Sequence, residues 1–150
     1  MDVKVDVSEN VRFQKKISVI GVATDNGHYK KNICLEPRTK KRIAKYKSHI
    51  GKIHCILIFD LIKEEIQKYN SIQFCTDIGK RELMNRLRHL FKGNKYWKRL
   101  EKNKKIKVIP VKKAYVDKYV KQVRTNPHLK EKELKLKDLK LYLKKFEKKK

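Results

Sequence analysis

Residues 50–77 read I-G-K-I-H-C-I-L-I-F-D-L-I-K-E-E-I-Q-K-Y-N-S-I-Q-F-C-T-D, and the way this stretch folds decides the rest of the chain. Ile50, Ile53, Cys55, Ile56, Leu57, Ile58, Phe59, Leu61, Ile62 and Ile66 make its first part the most apolar run in the sequence. The length of that run favours a buried helix over the alternative, a strand from Lys52 to Phe59 ending at Asp60. At about 100° per residue, Cys55, Ile58, Phe59, Ile62 and Ile66 share one face, with Lys52 at its edge. Asp60, Lys63 and Gln67 fall away from it. The N-terminal half is apolar nearly all round and is expected to be covered on more than one side. Tyr69-Asn70 reads as a turn, and Ser71 to Asp77 as a central strand whose carboxyl end presents Asp77. Open α/β sheets bind their ligands at the carboxyl ends of their strands.

Upstream, Val3, Val5 and Val7 alternate with Lys4 and Asp6, which predicts a short strand with Asp6 on the face opposite the valines. Lys16 to Thr24 is rich in β-branched residues and predicts a second strand. Asp25-Asn26-Gly27 is a hairpin signal, since Asn-Gly tolerates the positive φ that tight hairpins need. His28 to Leu35 returns as a third strand, and Pro37 ends it. Arg38 to Lys47 carries six basic residues and leads into the central helix, with Ser48 as a candidate N-cap.

Downstream, Lys80 to Phe91 is amphipathic, with Leu83, Leu87, Leu90 and Phe91 as its apolar stripe and Gly93-Asn94 as its stop. Tyr96 and Trp97 are read as part of a basic loop. Ile106 to Val111 predicts another strand, which Pro110 confines to an edge or terminal position. Tyr115 to Val123 predicts a short helix carrying Asp117, and Thr125-Asn126-Pro127 breaks the chain. Leu136, Leu139, Leu143 and Phe146 share one face of a last, very basic helix. The expected architecture is α/β: a mixed five-stranded sheet, with an antiparallel three-strand meander and helices on its faces.

A chain of 150 residues is long enough to bury a real core in one domain. Apolar and charged residues each make up 39%, and the net charge is +26. Such an excess points to a polyanionic partner, nucleic acid or an anionic membrane surface. Lys52, His54, Asp60 and Lys63 to Glu65 interrupt the Ile50–Ile66 run, so no segment reads as a membrane span. Met1 to Lys4 lacks the charged-then-apolar order of a signal peptide, and a cytoplasmic location is expected. Cys34, Cys55 and Cys75 are odd in number, sit among apolar residues and form no C-x-x-C pair. They read as small buried hydrophobes in a reducing compartment. His28, His49, His89 and His128 show no zinc-ligand spacing with them.

Over residues 1–124 the order of elements resembles the ribonuclease H-like superfamily, which includes ribonuclease H, Holliday-junction resolvases, transposases and integrases. Residues 125–150 stand outside it as a basic C-terminal helix and tail. Asp6-Val7-Ser8 on the first strand looks like the family's D-x-S at its first catalytic aspartate. Thr76-Asp77 looks like the second aspartate, at the end of the fourth strand. Asp117 sits where the family often places its last acid. The sequence departs from the pattern in the first long helix, whose N-terminal half holds His54 and no carboxylate. The resemblance therefore leaves three options: a three-carboxylate site, a site completed by His54 or Asp60, or a degenerate one.

The resemblance implies phosphodiester hydrolysis assisted by two divalent ions about 4 Å apart, which stabilise the attacking and leaving oxygens. Asp6, Asp77 and Asp117 are then the ligands, and Mg²⁺ or Mn²⁺ the metal, because these ions take carboxylate oxygens. His54 could be a metal ligand or a general acid/base, or a packed core histidine. The structural alternatives are a strand end solvated by Asp6, a turn or helix capped by Asp77, and ion pairing of Asp117 with Lys113 or Lys121. Arg81, Arg86, Arg88, Lys92, Lys95, Lys98 and Arg99 surround Tyr96 and Trp97. Cations of this kind contact phosphates and the aromatics could stack on a base, with Trp97 in the core as the alternative. Three functions follow: a nuclease acting on DNA, RNA, a hybrid or a junction; a binding protein on the same fold without a working metal site; and a basic module for RNA or a ribonucleoprotein. No feature fixes an oligomeric state.

Overall fold

The computed structural model describes residues 1–8, 17–42, 50–76, 79–109 and 115–147. Its sheet has five strands: β1 (Asp2–Ser8), β2 (Ser18–Ala23), β3 (Lys30–Leu35), β4 (Ser71–Cys75) and β5 (Ile106–Ile109), in the order β3-β2-β1-β4-β5. β1 to β3 form the expected antiparallel meander, and β4 and β5 join it in parallel. Asn26-Gly27 turns the β2–β3 hairpin. The Asn26 side chain accepts from Thr24 Oγ1 at 2.7 Å and from the His28 amide at 3.0 Å. Gly27 takes the positive φ of 73° that a side chain would resist.

The helices are α1 (Pro37–Arg42), α2 (Ile50–Ile62), α3 (Lys80–Leu90), α4 (Lys95–Lys102), α5 (Tyr115–Thr125) and α6 (Leu136–Glu147). The central apolar run is thus a helix, and the strand alternative is set aside. Ser48, the candidate N-cap, lies outside the described residues. α2 is buried almost throughout, in a core that joins Val3, Val5, Ile20, Ile33 and Phe74 of the sheet to Leu83 and Leu87 of α3 and Leu139 and Leu143 of α6. The opposite sheet face carries α5, where Val116, Tyr119, Val120 and Val123 pack on Val19, Ala23 and Cys34.

Three features differ from the sequence reading. Residues 95–102, read as part of a loop, form α4. Asn94 caps this helix by accepting from the amides of Tyr96 and Trp97, each at 3.0 Å. Trp97 is 2% exposed and stacks on Phe91, with ring centroids 4.7 Å apart. Asp60, placed away from the apolar face by angular counting, is buried: Tyr142 donates to it at 2.8 Å, and Lys63 and Lys132 pair with it at 2.9 and 3.1 Å. Elements late in the chain supply two of those partners, Tyr142 and Lys132, and helical periodicity cannot see them. The C-terminal segment also covers the outer edge of β3. Cys34 donates its amide to Lys132 O, and the Leu134 amide donates to Cys34 O, each at 2.9 Å. An open strand edge is thereby paired.

Candidate active site and cationic surface

Asp6 lies near the carboxyl end of β1, the central strand. Its register partners are Gly21 on β2 and Cys75 on β4. Directly opposed residues project to the same face of a sheet. A Cβ on Gly21 would meet Val120 and Tyr119 of α5, so Gly21, Asp6 and Cys75 all belong to the α5 face. Val3 and Val5 belong to the other, as the alternation predicts. Asp6 is 5% exposed.

Asp117 stands in the first turn of α5, paired with Lys121 at 3.3 Å. This is one of the ion pairs the sequence offered as its structural alternative. The Cys75 thiol reports on both acids. Burial pushes its pKa up, and the negative charges of Asp6 and Asp117 add to the rise, against a hydrogen bond from Gln73 and the charge of Lys4. Asp6 and Asp117, contributed by a strand and a helix 111 positions apart in the numbering, thus belong to the same side of the sheet. Asp77 lies outside the described residues, two positions beyond Cys75 in the sequence.

His54 projects from α2 on the opposite face of the sheet and is 6% exposed. Desolvation lowers its pKa to about 4, so the ring is neutral at physiological pH. A base held this weak suits a packed side chain better than a proton carrier at neutral pH. Cys34, Cys55 and Cys75 are buried free thiols, as expected.

Among the described residues, no three His, Cys, Asp or Glu side chains form a group that could hold a metal ion. Asp6 and Asp117 offer the hard oxygen donors that Mg²⁺ and Mn²⁺ take. Asp77, the third acid of the expected set, stands outside the described residues. No protein-family model, curated protein or solved structure matched the chain.

The basic residues divide into two groups. Arg86 pairs with Glu82 within α3, and Arg88 donates from Nε to Glu101 at 2.6 Å. Trp97 is enclosed, with Nε1 donating to Glu101 at 2.8 Å, so its ring is not offered to a base. Arg81, Lys92, Lys95, Lys98 and Arg99 are exposed. Lys95, Lys98, Arg99 and Lys102 recur at helical spacing on the outer side of α4, and exposed Lys104, Lys105 and Lys107 continue the series to β5. Glu101, the acid of α4, is turned to Arg88 and Trp97 instead. From the sequence the patch is expected to run only as far as Arg99. The i, i+3, i+4, i+7 spacing of Lys95, Lys98, Arg99 and Lys102 was the signal that could have extended it. No helix of the described residues is long and apolar enough to cross a membrane.

Proposed function

We propose that the chain is a metal-dependent nuclease, or nuclease-like protein, of ribonuclease H-like fold that acts on nucleic acid. One observation carries the reading: Asp6 of the central strand lies on the sheet face that α5 covers, where its register partner Gly21 closely approaches Val120, and α5 carries Asp117 in its first turn. The strand order β3-β2-β1-β4-β5, with its leading meander, supports it. In this reading Asp6, Asp77 and Asp117 hold divalent ions, Mg²⁺ or Mn²⁺. When bound, such ions stabilise the charge on the attacking and leaving oxygens of a phosphodiester. The exposed cations of α4, with Lys92 and Arg81, hold the phosphate backbone. Arg86 and Arg88 support the surface through their ion pairs, and Trp97 supports it from the core.

A second reading has a specific observation behind it. The N-terminal half of α2 presents a buried, neutral His54 and no carboxylate. A binding protein on the same fold, without a working metal site, follows from that. Labelled RNA–DNA hybrid and branched DNA, incubated with Mg²⁺ or Mn²⁺ and with an EDTA control, separate the two. Metal-dependent cleavage abolished by Asp77→Asn supports the nuclease. Binding without cleavage in either metal moves the assignment to the binding protein.

A further inference from the structure

Asn32, Gly21, Asp6 and Cys75 are successive register partners across β3, β2, β1 and β4. They form one transverse row on the face that α5 covers, and Asn32 stands two strands, about 10 Å, from Asp6. Asn32 is 1% exposed, and both ends of its side-chain amide are engaged. Nδ2 donates to Tyr119 Oη of α5 at 2.7 Å, to Leu129 O at 3.0 Å and to Glu131 Oε1 at 3.2 Å. Oδ1 accepts from the Glu131 amide at 2.9 Å. Tyr119 Oη donates onward to Glu131 Oε1 at 3.2 Å, and that oxygen also accepts from the Asn32 backbone amide at 3.0 Å. One buried side chain therefore joins β3, α5 and the C-terminal segment.

The segment that completes this network is itself anchored. Its backbone pairs with Cys34 at Lys132 O and at the Leu134 amide, and Lys132 pairs with Asp60 of α2 at 3.1 Å. The rest of the α5 interface is different in kind. Val116, Val120 and Val123 rest on Val19, Ala23 and Cys34, and apolar contact of this sort is non-directional. With the close approach at Gly21 as a pivot, such an interface tolerates rolling of α5 about its axis, whereas a hydrogen bond depends on angle and resists it. At about 100° per residue, Tyr119 and Asp117 fall on opposite flanks of the stripe formed by those valines. A roll that moves Tyr119 relative to Asn32 therefore moves Asp117 relative to Asp6. Lys30 donates to Tyr115 at 3.3 Å on the Tyr119 flank, but that contact is exposed. The ion pair of Asp117 with Lys121 lies within α5 and moves with it.

We infer that Asn32 and Tyr119 are positioning residues for Asp117, and that the C-terminal segment, through Leu129 and Glu131, completes the device. Residues beyond 124, which stand outside the resemblance, thereby support the candidate site. The setting of α5 stands on the hydrogen bonds alone. Its consequence for metal ligation rests on the nuclease reading above.

NMR on the whole protein tests it. In the wild type, the Asn32 side-chain amide protons are expected to exchange slowly with solvent and to show NOEs to the Tyr119 ring. Exchange at the rate of an exposed amide overturns the network without requiring any variant to fold. Residual dipolar couplings then read the setting of α5. In Tyr119→Phe, which keeps the ring and removes Oη, the α5 couplings are expected to leave the wild-type alignment fit while those of β1 to β4 keep it. Asn32→Asp, which removes the donor at nearly constant shape, should do the same. A loss of stability alone leaves the couplings of the folded state where they were, so unchanged α5 couplings in both variants overturn the positioning role. Mn²⁺ separates this outcome from the nuclease reading. Where the wild type binds Mn²⁺ at Asp6 and Asp117, Tyr119→Phe is expected to bind it about tenfold more weakly, the scale on which groups behind metal ligands act. Equal affinity overturns the role in metal ligation. If the couplings shift and the wild type takes no Mn²⁺ at these acids, the setting of α5 stands and the nuclease reading falls.

Discussion

A Cβ on Gly21 would lie 2.5 Å from Cγ1 of Val120. α5 therefore rests directly on the backbone of β2, and Gly21 is the register partner of Asp6. The absence of a side chain at one position of β2 thus lets a helix approach closely enough to bring Asp117 near the central strand. Gly21→Ala is expected to cost about 1–3 kcal/mol, since added atoms in a packed interface force the neighbours to move. Urea denaturation measures it. Unchanged stability would mean that α5 docks without needing this contact.

Asp60 joins the middle of the sequence to its end. Burial by itself raises its pKa, but hydrogen bonds from Lys63, Tyr142 and Lys132 outweigh burial and hold the carboxyl below its ordinary value of 3.8. On acidification the unfolded chain takes up this proton before the folded one does. The stabilisation is therefore complete above the ordinary carboxylate range and is lost as pH falls through the lowered folded value. Asp60→Asn should cost about 1–3 kcal/mol at neutral pH, with the two lysines partly exposed and their contribution screened. The gap to wild type should close as pH is lowered. A gap independent of pH would show that shape, and not charge, makes the difference.

His54 gives a pH dependence in a different window. Its ordinary value is 6.5, and burial lowers it to about 4 in the folded protein. Between those values the unfolded chain binds a proton that the folded chain does not. Stability should rise with pH across that interval, by at most about 1.4 kcal/mol per unit, and level off above it. His54→Gln should flatten the profile there. Thermal denaturation between the two values checks this, and an unflattened slope would assign the effect to another group.

The cationic surface makes a prediction about salt. Reversing Lys95, Lys98 and Arg99 to Glu should weaken duplex binding far more than reversing Lys137, Lys140 and Lys144 on α6, although both variants lose the same charge. Each phosphate contact removed should reduce the slope of log K against log salt by about 0.9. Trp97→Phe should lower stability and leave that slope unchanged, because the ring stacks on Phe91 inside the core. Equal losses from the two triple reversals would make attraction to nucleic acid a property of net charge alone.

The periodicities of residues 50–66, 80–91 and 136–146, and the Asn26-Gly27 turn, carry enough local pattern for the helices and the hairpin to be read from the chain. The meander and the mixed sheet follow from them. α4 was not legible because Trp97 and Leu100, its buried residues, are too sparse a stripe in eight residues, and because Asn94 closes α3's exit and caps α4 at once. Asp60 was misplaced because its partners come from segments that periodicity does not connect. Of the candidate site, Asp6 and its face were legible from the alternation of Val3 and Val5. The approach of Asp117 was not, since it depends on α5 lying against Gly21.

The most direct test of the carboxylate site is Mn²⁺ titration followed by paramagnetic broadening of backbone amide signals. The account predicts broadening centred on Asp6, Cys75 and the first turn of α5, and its loss in Asp6→Asn with the fold intact. Broadening elsewhere, or broadening that Asp6→Asn leaves unchanged, would contradict the claim that these carboxylates hold the metal.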